Sequence, residues 1–184
     1  MRKIIAAEFL SLDGVMEAPD QWHSPYFSEE MGAAQFALMA ETDTMLLGRK
    51  TYEEFAAAWP ERTSADFGPL ADFMNKTPKL VVSTTLKEVT WENSLLLKGD
   101  LAEELRRLKE QPGKSIFVPG SATLVKSLLR EHLLDELQLL VDPVLVGRGR
   151  RLYESENGQV PLKLIGLHAL AKGVLSLTYA RADD

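Results

Sequence analysis

Ser115 to Leu129, SIFVPGSATLVKSLL, is the stretch whose reading decides the fold. A short apolar run stops at Pro119-Gly120, small hydroxylated residues follow, and Leu124, Val125, Leu128 and Leu129 then recur at helical spacing. The pattern predicts strand, tight turn and helix. The first turn of a helix leaves N–H groups unpaired at the positive end of its dipole, so Gly120, Ser121, Ala122 and Thr123 form a cradle suited to a phosphate. Taken alone, an ordinary strand-to-helix connection with Gly120 easing the backbone and Ser121 capping the helix is the simpler reading. A second turn of the same kind would change that balance.

Working outward, Thr44 to Leu47 is an apolar strand that runs into Gly48-Arg49-Lys50-Thr51, after which Tyr52, Phe55 and Ala56 mark another helix. Two cations in a first helical turn oppose the dipole, so a local anion would rationalise Arg49 and Lys50. Lys79 to Ser83 is a further strand ending in Ser83-Thr84-Thr85, and Lys3 to Phe9 ends in Ser11-Leu12-Asp13-Gly14. Parallel strands would bring all four polar turns to one rim, where ligands of such sheets gather.

The remaining segments fit the same rhythm. A loop carrying Trp22 leads to a helix predicted from Ser24-Pro25, with Met31, Ala34 and Leu38 on one face. Leu70 to Met74 is a short helix, Leu95 to Leu97 a strand, and Asp100 with Glu103 opens a helix that Pro112-Gly113 stops. Leu137 to Val146 reads as a long strand ending in the arginine-rich Gly147 to Arg151. Lys163 to Leu170 and Val174 to Tyr179 form a hairpin around Lys172-Gly173. The expectation is one α/β domain over residues 1–184, in three layers, with a mainly parallel central sheet, helices on both faces and a C-terminal antiparallel hairpin.

Composition narrows the function. The formal net charge of -6 argues against nucleic acid or an anionic membrane as main partner. No run reaches the roughly 20 apolar residues of a bilayer span, and the lack of cysteine excludes thiol chemistry and fits a cytoplasmic setting. His23, His132 and His168 lack metal-ligand spacing and read as packed or surface residues, so no metal is expected.

The ordered strings SLDG, LLGRKTYEEF, FMNKTPKLVVSTTL, PGSATLVKSLL and DELQLLVDPVLVGRGRRLYE resemble the dihydrofolate-reductase-like family, in its bacterial branch related to the reductase domain of riboflavin biosynthesis. The resemblance covers nearly the whole chain. It implies a three-layer fold, NADPH as cofactor and a homodimer. It assigns Ala7 to the nicotinamide carboxamide, Leu12 and Gly14 to the loop beside the ring, and Gly48, Arg49, Lys50 and Thr51 to the pyrophosphate and 2′-phosphate. Ser83 and Thr84 complete the 2′-phosphate site; Val118, Gly120, Ser121, Ala122 and Thr123 supply the opposite turn, where the family's Gly-Gly is Pro119-Gly120 here.

The resemblance also exposes a difference. True dihydrofolate reductases place a carboxylate where this chain has Phe27, and a polar threonine partner where it has Leu139, so Phe27, Met31 and Leu139 are expected to line a pocket for a different substrate. Asp13 is the remaining candidate acid, or else a turn residue bonding its own backbone; Trp22 is either a wall of the substrate slot or a loop anchor. The expected function is an NADPH-dependent reductase passing hydride to a small heterocyclic or conjugated acceptor, pterin-like or riboflavin-precursor-like. A nucleotide-binding sensor or assembly protein without turnover is the alternative.

Overall fold

The computed structural model describes residues 1–154 and 158–182; positions 155–157 and 183–184 of the expected 1–184 unit lie outside the described residues. In chain order the elements are β1 (Ile4–Ser11), α1 (Glu29–Ala40), β2 (Thr42–Gly48), α2 (Arg49–Ala58), α3 (Ser64–Phe67), α4 (Pro69–Lys76), β3 (Lys79–Val82) and β4 (Ser94–Leu97). They continue with α5 (Leu101–Glu110), β5 (Ser115–Pro119), α6 (Ala122–Arg130), β6 (Glu136–Asp142), β7 (Leu162–Ala169) and β8 (Leu175–Arg181).

One sheet holds the eight strands in the order β4-β3-β2-β5-β1-β6-β8-β7. Strands β4 through β6 of that order run parallel, and β8 and β7 add antiparallel. Alternation along β2 shows how the sequence makes two layers of helices. Leu46 packs with Leu105 of α5 and Leu128 of α6, while its neighbours Met45 and Leu47 face the other way, onto Tyr52 of α2 and Met74 of α4. All three are completely buried, and truncating Leu46 to alanine would cost about 2–5 kcal/mol. The predicted α6 face is likewise the buried one: Leu124, Val125, Leu128 and Leu129.

Two boundaries differ from expectation. Ser24-Pro25 opens only a single 3-10 turn, because the extended backbone at Phe27 interrupts it; Ser28 caps α1 instead, accepting from the Met31 amide. Glu29 and Glu30 then suit the positive helix end. Strand β6 stops at Asp142 rather than Val146, since Pro143 has no N–H to continue the ladder.

The edge strand β7 carries exposed Leu164, Ile165 and Leu167. Among the described residues no helix is long and apolar enough to cross a membrane.

Candidate functional site

A cleft of about 1060 Å³ opens over the carboxyl ends of the parallel strands. Its phosphate-type rim is made by two turns that interlock. Gly48 joins β2 to α2 with ordinary dihedrals, φ -74 and ψ 159, so its glycine is required by space rather than by backbone. A Cβ there would lie 2.2 Å from Ser121 Oγ and 3.2 Å from Ser121 Cβ. On the other side Gly120 takes φ +65, and a Cβ on it would touch the Thr51 side chain at 3.4 Å. Ser121 itself is left-handed, φ 70, and makes no side-chain cap to α6, so the simple capping role does not hold. The backbone of two helix starts is thereby brought to one place.

Of the residues assigned to the cofactor, Ala7, Gly48, Arg49, Lys50, Thr51, Ser83 and Thr84 line the cleft, as do Gly120, Ser121, Ala122 and Thr123. Arg49 and Lys50 are exposed at its mouth, Arg49 pairing with Glu53 one helical turn on at 3.1 Å. Ser83 Oγ accepts from the Thr85 and Leu86 amides at 3.1 and 2.9 Å, closing the turn it belongs to. Val118 is completely buried in the core beneath the turn.

Leu12 and Gly14 stand away from the lining because their loop is tied to the segment after β6. The Leu12 amide donates to Val144 O at 2.8 Å, and Val15 bridges Arg151. Asp13 belongs to the same tie. Its carboxylate accepts from Ser11 Oγ at 2.7 Å and from the Val146 and Gly147 amides at 3.0 and 2.8 Å. These bonds, Ser11's first, hold its pKa down at about 2. Asp13 thus lies outside the cleft lining with its carboxylate engaged in the turn.

Trp22 also lies outside the lining and donates Nε1–H to Glu17 O at 3.0 Å, which anchors its loop. Phe27 and Leu139 do line the cleft, but Met31 does not: α1 begins later than expected, and Met31 in its first turn is completely buried.

Two groups were not singled out by sequence. His23, one of the histidines read as packed or surface residues, is packed and lines the cleft, its Nδ1 2.7 Å from Asp142 Oδ2 and its ring 4.0 Å from that of Phe9. Burial pushes the Asp142 carboxyl above its ordinary value, with the His23 bond opposing. Glu8, also on the cleft wall, is 4% exposed, and its Oε1 has no partner among the described residues. Burial drives its carboxyl well above the usual carboxylate range, against a smaller pull from the Gly120 amide. The only available signals were a polar residue inside an otherwise apolar strand for Glu8 and the spatial meeting of distant positions for His23.

The fold matches known proteins. Residues 2–176 match the model of the RibD C-terminal domain, and the chain belongs to that family. It is 28% identical over 182 residues to the uncharacterised Bacillus subtilis protein YyaP, spanning 97% of this chain and 94% of that one. A Shewanella sp. PV-4 protein assigned provisionally to riboflavin biosynthesis superposes with a TM-score of 0.78 at 22% identity, over 98% of this chain and 99% of that chain. Dihydrofolate reductase from Enterococcus faecalis, solved with NADP(H), superposes at 0.63 and 15% identity, over 98% and 97% of the two chains. These structural likenesses establish a dihydrofolate-reductase-like fold.

Proposed function

We propose that the protein is an NADPH-dependent reductase that passes hydride to a small heterocyclic or conjugated acceptor, pterin-like or riboflavin-precursor-like. The observation that carries this reading is the contact between Gly48 and Ser121, which leaves room for backbone and nothing more where two helix starts converge. That cradle fits a diphosphate: unpaired N–H groups and dipole ends of α2 and α6 face one spot. Arg49 and Lys50 stand beside it for the adenosine 2′-phosphate, with the Ser83 and Thr84 hydroxyls across the mouth. Burial raises the Glu8 carboxyl well above the usual carboxylate range, which disfavours a negative charge beside the Gly120 turn.

NADPH, when bound, supplies the hydride; the chain supplies alignment and a slot shielded from water. Ala7 on β1 would meet the nicotinamide carboxamide through its backbone, and Phe27 and Leu139 would shape the acceptor's side of the cleft. With Phe27 in place of a carboxylate, a true dihydrofolate reductase is not the reading we favour. A cytoplasmic homodimer completes the proposal, with the exposed leucines and isoleucine of β7 offered to a second copy.

Fluorescence titration of NADPH against NADH tests the assignment. Saturable NADPH binding, with NADH weaker, is expected; equal or absent binding of both would remove the cofactor and the function with it.

A further inference from the structure

Resting on the reductase reading above, we propose that His23 is the proton donor to the acceptor and that Asp142 is the positioning residue that holds it. His23 Nδ1 is committed to Asp142 Oδ2 at 2.7 Å, and Asp142, the last residue of β6, is completely buried. The imidazole packs on Phe9 with centroids 4.0 Å apart and meets the rings of Trp22 and Phe27 edge-on, each at 6.4 Å. One nitrogen is bonded and the ring is held among three aromatic neighbours, and Nε2 is the polar atom left over.

Nε2 is shielded from solvent and has no hydrogen-bond partner among the described residues; neither has Asp142 Oδ1. Burying an imidazole against a carboxylate strips both groups of water, and native folds leave few buried polar atoms unpaired. Two such atoms in one pair, whose histidine lines the cleft, point to a hydrogen-bonding group that arrives with a ligand.

Of the other charged groups on the elements around His23, two are engaged elsewhere. Glu17 accepts from the Arg150 amide at 2.8 Å, and Lys172 of the hairpin turn donates to the Pro25 and Phe27 carbonyls at 3.0 and 2.8 Å. Glu8 and Arg150 line the same cleft, and neither is paired with His23. Among the described residues Asp142 is the charged partner of His23.

In the step, the acceptor's C=N or C=O carbon takes hydride and its π pair moves to the heteroatom. That heteroatom forms its new bond to hydrogen as the His23 Nε2–H bond breaks. The acceptor gains two electrons, NADPH is oxidised to NADP⁺, and the neutral imidazole recovers a proton from water after product leaves.

With three histidines, isotope-labelled imidazole nitrogens are readily resolved by NMR. The full chain saturated with NADPH is titrated with dihydrofolate, 5-aminouracil and menadione in turn. At least one probe should move the His23 Nε2 resonance and leave His132 and His168 in place. NADPH oxidation with that probe should show a pH profile that depends on His23. His23→Gln should cut the rate by about 10²–10⁴-fold and flatten that profile, with NADPH affinity unchanged. Asp142→Asn should displace the profile; if it does not fold, His23→Gln carries the test. Absence of NADPH binding by the wild-type chain overturns the reductase reading and this inference together. Intact NADPH binding, with no probe moving Nε2 or with a wild-type profile in His23→Gln, overturns this inference alone.

Discussion

Gly48 and Ser121 share a space that holds only one side chain: a Cβ on Gly48 would sit 2.2 Å from Ser121 Oγ. Gly48→Ala should therefore cost about 1–3 kcal/mol as overpacking and weaken NADPH by spreading the two turns. Ser121→Gly removes the opposing hydroxyl and relieves a left-handed serine, so the double variant should regain stability and affinity. Thermal melts and NADPH titrations of the two single variants and the double variant measure the coupling; additive effects would mean that the turns do not press on each other.

Arg49 is exposed, and its only ion-pair partner among the described residues is Glu53 on the same helix, so it is free to turn to a phosphate. Arg49→Ala should weaken NADPH by roughly 10- to 100-fold, the worth of a charge-assisted phosphate contact, and leave NADH nearly unchanged. The ratio of the two dissociation constants is the readout.

Glu8 has its carboxyl raised by burial, so the folded state resists its ionisation while the unfolded chain ionises above about pH 4.3. The stability it permits is complete below that pH and declines as pH rises. Glu8→Gln should flatten the decline and melt higher than wild type at pH 8, by about 2–4 °C for each kcal/mol recovered. Melting curves between pH 5 and 9 test this; parallel curves for the two proteins would contradict a Glu8 carboxyl raised by burial.

Asp13 runs the opposite way. Held at about 2 by Ser11 and the Val146 and Gly147 amides, it contributes stability above the unfolded value near 3.9 that is lost as pH falls toward about 2. Asp13→Asn should be less stable than wild type at neutral pH and converge with it in that acid window, without changing any proton-dependent step of turnover. Acid denaturation curves and a pH profile of NADPH oxidation separate this from a catalytic Asp13.

The edge strand β7 leaves Leu164, Ile165 and Leu167 exposed beside unpaired backbone. A homodimer through this edge predicts that Ile165→Lys with Leu167→Lys yields a monomer in analytical ultracentrifugation, with NADPH affinity retained.

How far the sequence could be read follows from the range of the interactions. Local signals were sufficient for the strand-turn-helix units: the α6 face, the Asp100 cap and the Gly48 and Gly120 turns were legible because period and turn chemistry are properties of neighbouring residues. The start of α1 was misplaced because Ser24-Pro25 and Ser28 both carry cap chemistry, and only the extended backbone at Phe27 decides between them. His23 with Asp142 was invisible for another reason. His23 lies outside the quoted strings and Asp142 inside one of them, and the pair exists because the loop before α1 folds back over the end of β6. Asp13 shows the converse: a conspicuous polar residue in a motif, occupied by the turn it closes.

The most direct measurement is a crystal structure of the full chain with NADPH. The diphosphate should lie between the backbone of Gly48 to Thr51 and that of Gly120 to Thr123, with the 2′-phosphate on Arg49 and the nicotinamide beside Ala7. A dinucleotide bound elsewhere on the molecule, or turned so that its diphosphate leaves those two turns vacant, would contradict the account.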